Sequence, residues 1–496
     1  MIRWLVPWVC LGLMGANESS VAPPPGPTIT TITLQPATVP RPSLKYHLVP
    51  ERYGLIGGNA ALFYHRANLL IALRQNGEAG QPRSPSTAAQ PRTDERLVTW
   101  AGKRVADLPR EEVRTFLASF DSVLREVEAG AKRDHCDWEF SHRDEGIDLL
   151  LPEIQNSRTL ARLVELKAKL AIADGRLVEA FESIQTGFVL ARHVADGPTL
   201  VQTLIGDSIG FEMIRCLEAL IDVPGAPSLF WALADRPRPF VDLRSALEAE
   251  RHMIEKEFPD LLEIDRGVWS VERARRFADR LQAKLFNLVA GETLPGLDTA
   301  IPVHPSPTLR RLGVAALCAR IEPEARRSLV LGGRAKAEVD AMPVVQAAML
   351  FVHETTRDRR DAMFRWANVP YPVAATLFKP TGYTRAEKQA NPLLAIFSVF
   401  DPGIDSARLA AVRLDRQLDA LQVVEAIRLD ATRHDGRLPA RLDAIADLPI
   451  PLDPATGKPF DYRVDGDTAT VSAPSVAEVG LDPWFAIQIQ LVVPRR

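Results

Sequence analysis

The apolar residues between Ile404 and Gly436 recur every three or four positions, and this spacing constrains the fold more than any other feature. Because an α-helix turns once in 3.6 residues, such residues share one face and predict a single long helix. Asp405 is its predicted N-cap, and Gly436 is the predicted left-handed residue that ends it. The apolar face, which must pack against another element, comprises Leu414, Leu418, Leu421, Val424, Ile427 and Ala431. The remaining faces carry charge at Arg413, Asp415, Arg416, Asp419 and Arg428.

A turn region and a β-hairpin are predicted after this helix. Four Xaa-Pro pairs between Leu438 and Pro454 exclude another long helix, because the residue before proline avoids the α conformation. Apolar and polar residues then alternate over 460–465 and over 468–473, and Asp465-Gly466 between them is a hairpin turn signal. The sequence therefore predicts one hairpin packed near the long helix.

Residues 404–474 resemble the helix-to-sheet module of type II secretion pseudopilins. The resemblance implies a long helix that packs against a small sheet. Pseudopilins begin with this helix, whereas here it lies near the far end of the chain, so only the shape of the module carries over. The matching segments are His434-Asp435-Gly436-Arg437-Leu438-Pro439, Leu442-Asp443, Pro451-Leu452-Asp453-Pro454 and Gly457-Lys458-Pro459-Phe460.

The first residues have the order of a secretory signal. A basic Met1-Ile2-Arg3 precedes an apolar run from Trp4 to Met14, and residues 1–16 are therefore the predicted signal peptide. Pro7 and Met14 leave an uncleaved anchor or a different start open. Residues 17–45 are rich in Pro and Thr and predict an extended linker. We expect export to the periplasm or cell envelope, with no membrane span beyond the signal.

Composition indicates a globular protein without a nucleic-acid role. Hydrophobic residues make up 46% of the chain, charged residues 25%, and the net charge is −3. Beyond Cys10, the three widely spaced residues Cys136, Cys216 and Cys318 are no disulfide framework and are expected to be buried thiols.

Helical patterns dominate the rest of the chain, so the predicted fold class is mostly α. Small residues from Val164 to Gly187 recur at the spacing of a tetratricopeptide-like helical hairpin, with its turn at Asp174-Gly175. We predict a helical-hairpin domain over 46–260, a second helical region over 261–400 and the long helix plus β-hairpin over 401–496. In the second region, separate helices are expected on either side of Pro323.

The layout as a whole resembles a group of secreted-type proteins from planctomycete bacteria. That resemblance implies export and this order of segments, and it implies no activity. The matching segments are Gly58-Asn59-Ala60-Ala61, Cys136-Asp137-Trp138-Glu139, Ala191-Arg192-His193, Gly197-Pro198-Thr199-Leu200, Trp231-Ala232-Leu233-Ala234, Arg238-Pro239, Ala341-Met342-Pro343 and Pro454-Ala455-Thr456-Gly457-Lys458-Pro459.

One segment matches a catalytic motif. Gly206-Asp207-Ser208-Ile209-Gly210 spells the nucleophile elbow of serine hydrolases, which requires a strand before the serine and a helix after it. Apolar residues from Leu200 to Leu220 keep helical spacing through the motif, so we favour small residues at a helix crossing. The alternative is a serine hydrolase that uses Ser208, with His252 or His353 as its base.

Three further segments contain residue types that ligate metals. His353-Glu354-Thr355-Thr356-Arg357 begins like the zinc-protease helix, but Arg357 replaces the second ligand, which favours a solvated helix face. Residues 134–139, with His142, Asp144 and Glu145, favour a packed loop, and a transition-metal site at His135 and Cys136 is the alternative. A solvated hairpin is favoured over a calcium site for Asp453, Asp461, Asp465 and Asp467.

These patterns favour a binding protein over an enzyme. We expect an exported, non-catalytic scaffold or protein-binding module, with an envelope protein as partner and without a cofactor. Its expected working surface is the concave side of the helical hairpins from Leu160 to Ile221, and the C-terminal helix and hairpin would act as a docking or capping domain.

Overall fold

The computed structural model describes residues 29–79, 93–139, 152–289, 306–377, 383–397, 403–473 and 486–493. The predicted signal peptide, residues 1–16, and the start of the predicted linker lie outside these ranges. The described chain is mostly helical and has a small sheet at its C-terminal end, as predicted.

The helices and strands follow in chain order. The α-helices are α1 (Ala61–Ala79), α2 (Thr93–Ala101), α3 (Arg110–Ala118), α4 (Asp121–Ala131), α5 (Pro152–Ala173), α6 (Leu177–Ala195), α7 (Leu200–Ile221), α8 (Phe230–Ala234), α9 (Arg244–Arg251), α10 (Met253–Glu257), α11 (Val271–Val289), α12 (Pro307–Leu331), α13 (Lys336–Ala341), α14 (Val344–Ala367), α15 (Tyr371–Leu377), α16 (Arg385–Ala390), α17 (Pro392–Phe397) and α18 (Ile404–Arg433). The strands are β1 (Ile29–Thr33), β2 (Ile56–Asn59), β3 (Arg133–His135), β4 (Asp461–Asp465), β5 (Thr468–Ala473) and β6 (Ile487–Val492).

Helices α5, α6 and α7 pack closely because glycines lie where they meet. Gly175 has a φ of +73° in the turn between α5 and α6, as the Asp174-Gly175 signal predicts. A Cβ atom at Gly206 of α7 would lie only 2.5 Å from the carbonyl oxygen of Ala191 in α6. Larger residues would therefore push these helices apart.

The long helix α18 lies at the centre of the main core. It contacts α7, α8, α14 and β5, and its apolar residues join one core with residues from α1 to α8. The segments 46–260 and 401–496, which we predict as separate domains, therefore share a core. The helix ends at Arg433, and Gly436 shortly after it is left-handed as predicted, with φ of +84°. The predicted N-cap is wrong, because Gly403 is the N-cap and Asp405 lies in the first turn.

The C-terminal sheet has the strand order β1-β6-β5-β4. The predicted hairpin is confirmed, because β4 and β5 pair antiparallel and close at Asp465 and Thr468. The predicted linker is wrong from Ile29 onward, since β1 pairs in parallel with β6 and buries Ile32. The segment Ile29–Thr33 alternates isoleucine and threonine, which suits a half-buried strand better than a spacer.

A second core forms between Phe258 and Leu394, mainly from α11, α12 and α14. The predicted break at Pro323 is wrong, because α12 runs through this proline. Cys318, Ile321, Ala325 and Leu329 lie buried along one side of α12, and this burial offsets the loss of one backbone hydrogen bond. Across the described ranges, no helix has both the length and the apolar content that a membrane span requires.

Candidate functional site

Ser208 lies in the middle of α7 and is half-buried. The helix begins after Thr199, whose hydroxyl accepts a hydrogen bond of 3.2 Å from the backbone N–H of Gln202, and it continues to Ile221. The segment before Ser208 is helix and not strand, so the chain makes no strand-to-helix corner there. The favoured interpretation of the motif, a helix crossing, agrees with this geometry.

The two candidate bases, His252 and His353, lie in surroundings that differ from those of Ser208. His252 caps the C-terminus of α9, and its Nε2 lies 3.4 Å from Arg251. His353 is buried in α14, where burial chiefly lowers its pKa. The predicted solvated face at His353 is therefore wrong, while Glu354 in the same motif pairs with Arg334 at 2.7 Å. Among the described contacts, neither imidazole forms a hydrogen bond with Ser208.

The acid beside Ser208 is buried without a partner. Asp207 is 1% exposed, and neither of its carboxylate oxygens has a hydrogen-bond partner among the described residues. Burial raises the pKa of Asp207 well above its usual value, and the nearby carboxylate of Asp415 raises it further. Asp207 therefore holds its proton to a higher pH than an exposed aspartate.

Asp415 of α18 belongs to a charged group that fixes the loop after α8. It accepts a 3.1 Å hydrogen bond from the backbone N–H of Phe240, and burial raises its pKa to about 6. Arg236 lies 2.9 Å from Asp419, and Arg238 donates to Asp419 at 3.1 Å and to Gln422 at 2.9 Å. Arg236 and Arg238 thus pair with acids of α18, and within the described ranges neither carboxyl oxygen of Asp207 has a hydrogen-bond partner.

A second buried charge pair joins α18 to the turn region before the hairpin. Arg416 is fully buried and donates two hydrogen bonds to Asp453, at 2.9 and 2.8 Å. The same carboxylate accepts from the N–H of Ala455 and the hydroxyl of Thr456. The solvated position favoured for Asp453 is therefore wrong. Both carboxylate oxygens of Asp453 accept hydrogen bonds from protein groups. Three acids on the hairpin are exposed, as predicted: Asp461, Asp465 and Asp467.

A third pair lies farther along the same helix. Arg428 is 2.8 Å from Glu425, and both side chains are fully buried. Arg428 also donates to the carbonyl oxygen of Gln35, while Glu425 accepts from the N–H of Leu229. Four of the charged residues assigned to the outer faces of α18 thus connect this helix to distant segments: Asp415, Arg416, Asp419 and Arg428.

The segment around Cys136 is a packed loop. The hydroxyl of Tyr64 lies 2.8 Å from Nδ1 of His193, and the Trp138 indole donates to the His193 carbonyl at 2.8 Å. Burial raises the pKa of the half-buried Cys136 thiol and lowers that of His193 to about 4. A protonated thiol and a buried imidazole are poorly suited to nucleophilic catalysis.

His135 has an exposed side chain that hydrogen-bonds Asp134 at 2.8 Å. Within the described ranges, no three histidine, cysteine, aspartate or glutamate residues converge as metal ligands. The predicted ligands His142, Asp144 and Glu145 lie outside the described residues. The arrangement of the described part is that of a packed loop, the interpretation favoured from sequence.

Sequence reasoning missed the buried charges of α18, although a signal for them exists. Residues 420–431 (ALQVVEAIRLDA) carry apolar side chains on every face of the helix, a pattern typical of a fully buried helix. Charged residues inside such a segment must have buried partners.

Comparisons with known proteins provide no relative from which a site could be transferred to these residues. No protein-family model matches the chain, and neither curated proteins nor solved structures match it significantly.

Proposed function

We propose that this protein is an exported, non-catalytic scaffold that binds a protein partner in the periplasm or cell envelope. The observation that carries the proposal is the position of Ser208, in the middle of a packed helix and without a hydrogen-bonded imidazole among the described residues. The acids and arginines of α18 hold structural elements together and form no open cluster. Export is proposed from the apolar N-terminal segment and the resemblance to secreted-type planctomycete proteins.

We further propose that α5, α6 and α7 form a tetratricopeptide-like hairpin array around which the C-terminal module folds. The close helix contacts at Gly187 and Gly206 support this proposal. The pseudopilin-like module supplies α18, and a Cβ atom at Gly210 of α7 would lie 3.0 Å from Leu414 of that helix. Because the chain's own helix covers this face of α7, the partner must bind elsewhere.

The exposed face of α1 is the surface that best fits partner binding. Leu62, Leu69 and Leu73 are 53%, 58% and 60% exposed and lie on one face of the helix, at positions i, i+7 and i+11. The opposite face of α1 is buried in the main core through Tyr64 and Ala67. Apolar side chains in a row on a surface helix are typical of a surface that binds an apolar helix or groove of another protein.

Affinity capture from envelope extract tests the proposal. The full chain should recover a protein partner reproducibly, and Leu69→Glu should lose it because a charge would interrupt the apolar row. Leu331→Glu is the matched control, since Leu331 is exposed on a different helix and should leave capture unchanged.

Three outcomes would contradict the proposal. The first is the absence of any reproducible partner, and the second is equal capture by the wild-type protein and the Leu69→Glu variant. The third is covalent labelling by a fluorophosphonate that disappears in Ser208→Ala, which would favour the serine hydrolase.

A further inference from the structure

Helices α5 and α7 bring six charged side chains together at one margin of the main core. Four of them follow one another along a single side of α5, at positions i, i+4, i+7 and i+11. The other two lie on α7, which packs against α5. The six residues are Arg158, Arg162, Glu165 and Lys169 on α5, and Glu212 and Arg215 on α7.

The inner half of this group is neutral. Lys169 lies 2.8 Å from Glu165, and both are buried. Lys169 also donates a hydrogen bond of 3.1 Å to the carbonyl oxygen of Lys103, which fixes its ammonium group. Arg215 lies 3.9 Å from the same Glu165 carboxylate. The other carboxyl group, that of Glu212, is near enough to Arg158, Arg162 and Arg215 for their charges to lower its pKa.

Two buried atoms in the outer half lack hydrogen-bond partners among the described residues. Nε of Arg158 and Oε2 of Glu212 are buried, and neither atom has a partner among the described residues. The two groups are near enough for their charges to interact, yet no hydrogen bond joins them. Buried N–H groups nearly always have an acceptor. Some group that accepts from the guanidinium and contacts the carboxyl would satisfy both atoms.

We propose that Arg158, Arg162 and Arg215, at the margin where α5 packs against α7, bind a small oxyanion of the phosphate or sulfate class. Guanidinium groups bind tetrahedral oxyanions through charge-assisted hydrogen bonds. Arg158 and Arg162 lie one helical turn apart on the same face, so one anion can contact both. The protonated carboxyl of Glu212 donates a further hydrogen bond to the anion.

The role of Glu212 makes binding depend on pH. Burial is the main cause that raises the pKa of Glu212 to about 7, and Glu165 raises it further, while Arg162, Arg215 and Arg158 lower it. Below that pH Glu212 is neutral and donates, whereas above it the carboxylate repels the anion. Sulfate should therefore bind more tightly at about pH 6 than at about pH 8.

Calorimetric titration of the full chain with sodium sulfate, at ionic strength held constant with sodium chloride, tests the site. We expect Arg158→Gln and Arg162→Gln each to weaken binding about tenfold or more, because each removes a charge-assisted contact. Arg125→Gln is the control and should bind as the wild type does, since Arg125 is exposed on α4. Glu212→Gln should retain binding and lose the difference between the two pH values.

The outcomes separate the proposal from its alternatives. Sulfate binding no stronger than that of chloride, or binding by both arginine variants equal to that of the wild type with unchanged circular dichroism, would show that these arginines form no anion site. Titration with inorganic phosphate and with glycerol phosphate then distinguishes a free anion from the phosphoryl group of a larger ligand. The site does not depend on the scaffold function, so either can fail without the other.

Discussion

At the scale of single residues, the buried charges divide into those with partners and those without. Arg416 and Asp453 are joined by two hydrogen bonds, whereas the Asp207 carboxyl has no hydrogen-bond partner in the described structure. Removal of one partner of a buried ion pair destabilises the protein strongly, because the other partner is left as an uncompensated buried charge. An unpaired buried carboxyl instead couples stability to pH.

We predict that Asp207→Asn makes the protein less sensitive to alkaline pH. The pKa of Asp207 is raised in the folded state, so the stability it contributes is lost as pH rises from its unfolded value through its folded value. The amide cannot ionise and avoids this loss. In thermal melts, the midpoint of Asp207→Asn should fall less between about pH 5 and about pH 8 than that of the wild type.

Asp461→Asn is the control for that measurement, because Asp461 is exposed on β4. It should follow the wild-type curve. Identical pH dependence in Asp207→Asn and the wild type would mean that the Asp207 carboxyl is not protonated inside the fold.

We predict that Arg416→Met lowers the free energy of unfolding by about 3–5 kcal/mol, because it leaves Asp453 buried and unpaired. The double variant Arg416→Met/Asp453→Leu should lose less than the sum of its single changes. Urea denaturation measures both quantities. Arg463→Met, an exposed change on β4, should have little effect, and a similar loss there would refute a special role for the buried pair.

At the scale of elements, glycine positions decide how closely helices pack. Gly206 lies against α6, whereas Gly313 of α12 has open space around its Cα.

We predict that Gly206→Ala destabilises the protein by about 1–3 kcal/mol, because the new Cβ would overlap the Ala191 carbonyl oxygen. Gly313→Ala should instead stabilise by about 0.5–1 kcal/mol through helix propensity. Thermal melts of the two variants should shift in opposite directions, and shifts of the same sign would contradict this packing.

The pairing of β1 with β6 gives the N-terminal segment a structural role. Ile32 is 1% exposed and Ile29, in the same strand, is 53% exposed. We predict that Ile32→Ala costs about 2–5 kcal/mol and that Ile29→Ala costs far less. Chemical denaturation distinguishes the two variants. Equal small losses would restore the interpretation of residues 29–45 as a spacer.

At the scale of the whole molecule, several half-buried acids have pKa values raised to near neutrality. Burial raises the pKa of Glu212, Glu218 and Glu250 each to about 7. A raised folded pKa means that stability is lost as pH increases from the unfolded value, about 4.5, through about 7. His193 acts in the opposite sense, because its pKa is lowered to about 4 and stability is lost as pH falls from about 6.5.

We therefore predict a thermal midpoint that is higher at about pH 6 than at about pH 8, and that decreases again under more acidic conditions. Calorimetric melts across this range provide the measurement. Glu250→Gln should reduce the slope on the alkaline side, because it removes one carboxyl group that titrates near pH 7. A wild-type midpoint that rises from about pH 6 to about pH 8 would contradict the raised pKa values of these acids.

The sequence by itself determined the local elements. The run of apolar residues specifies α18, Asp465-Gly466 specifies the hairpin turn, and unbroken helical spacing through Ser208 specifies α7. Each of these depends on residues within a few turns of one another, where backbone preferences and side-chain period act directly.

Only the tertiary structure decided which distant residues meet. The pairing of Ile29–Thr33 with Ile487–Val492, the contact of Arg416 with Asp453 and the approach of Asp207 to Asp415 all join segments far apart in the chain. The periodicity of apolar residues shows that a charged residue in a buried helix needs a partner, but it does not identify that partner. The partner is determined by how the helices and the sheet pack around a common core. The sequence thus shows that α18 contains charged residues, and only the fold determines the distant residues with which they pair.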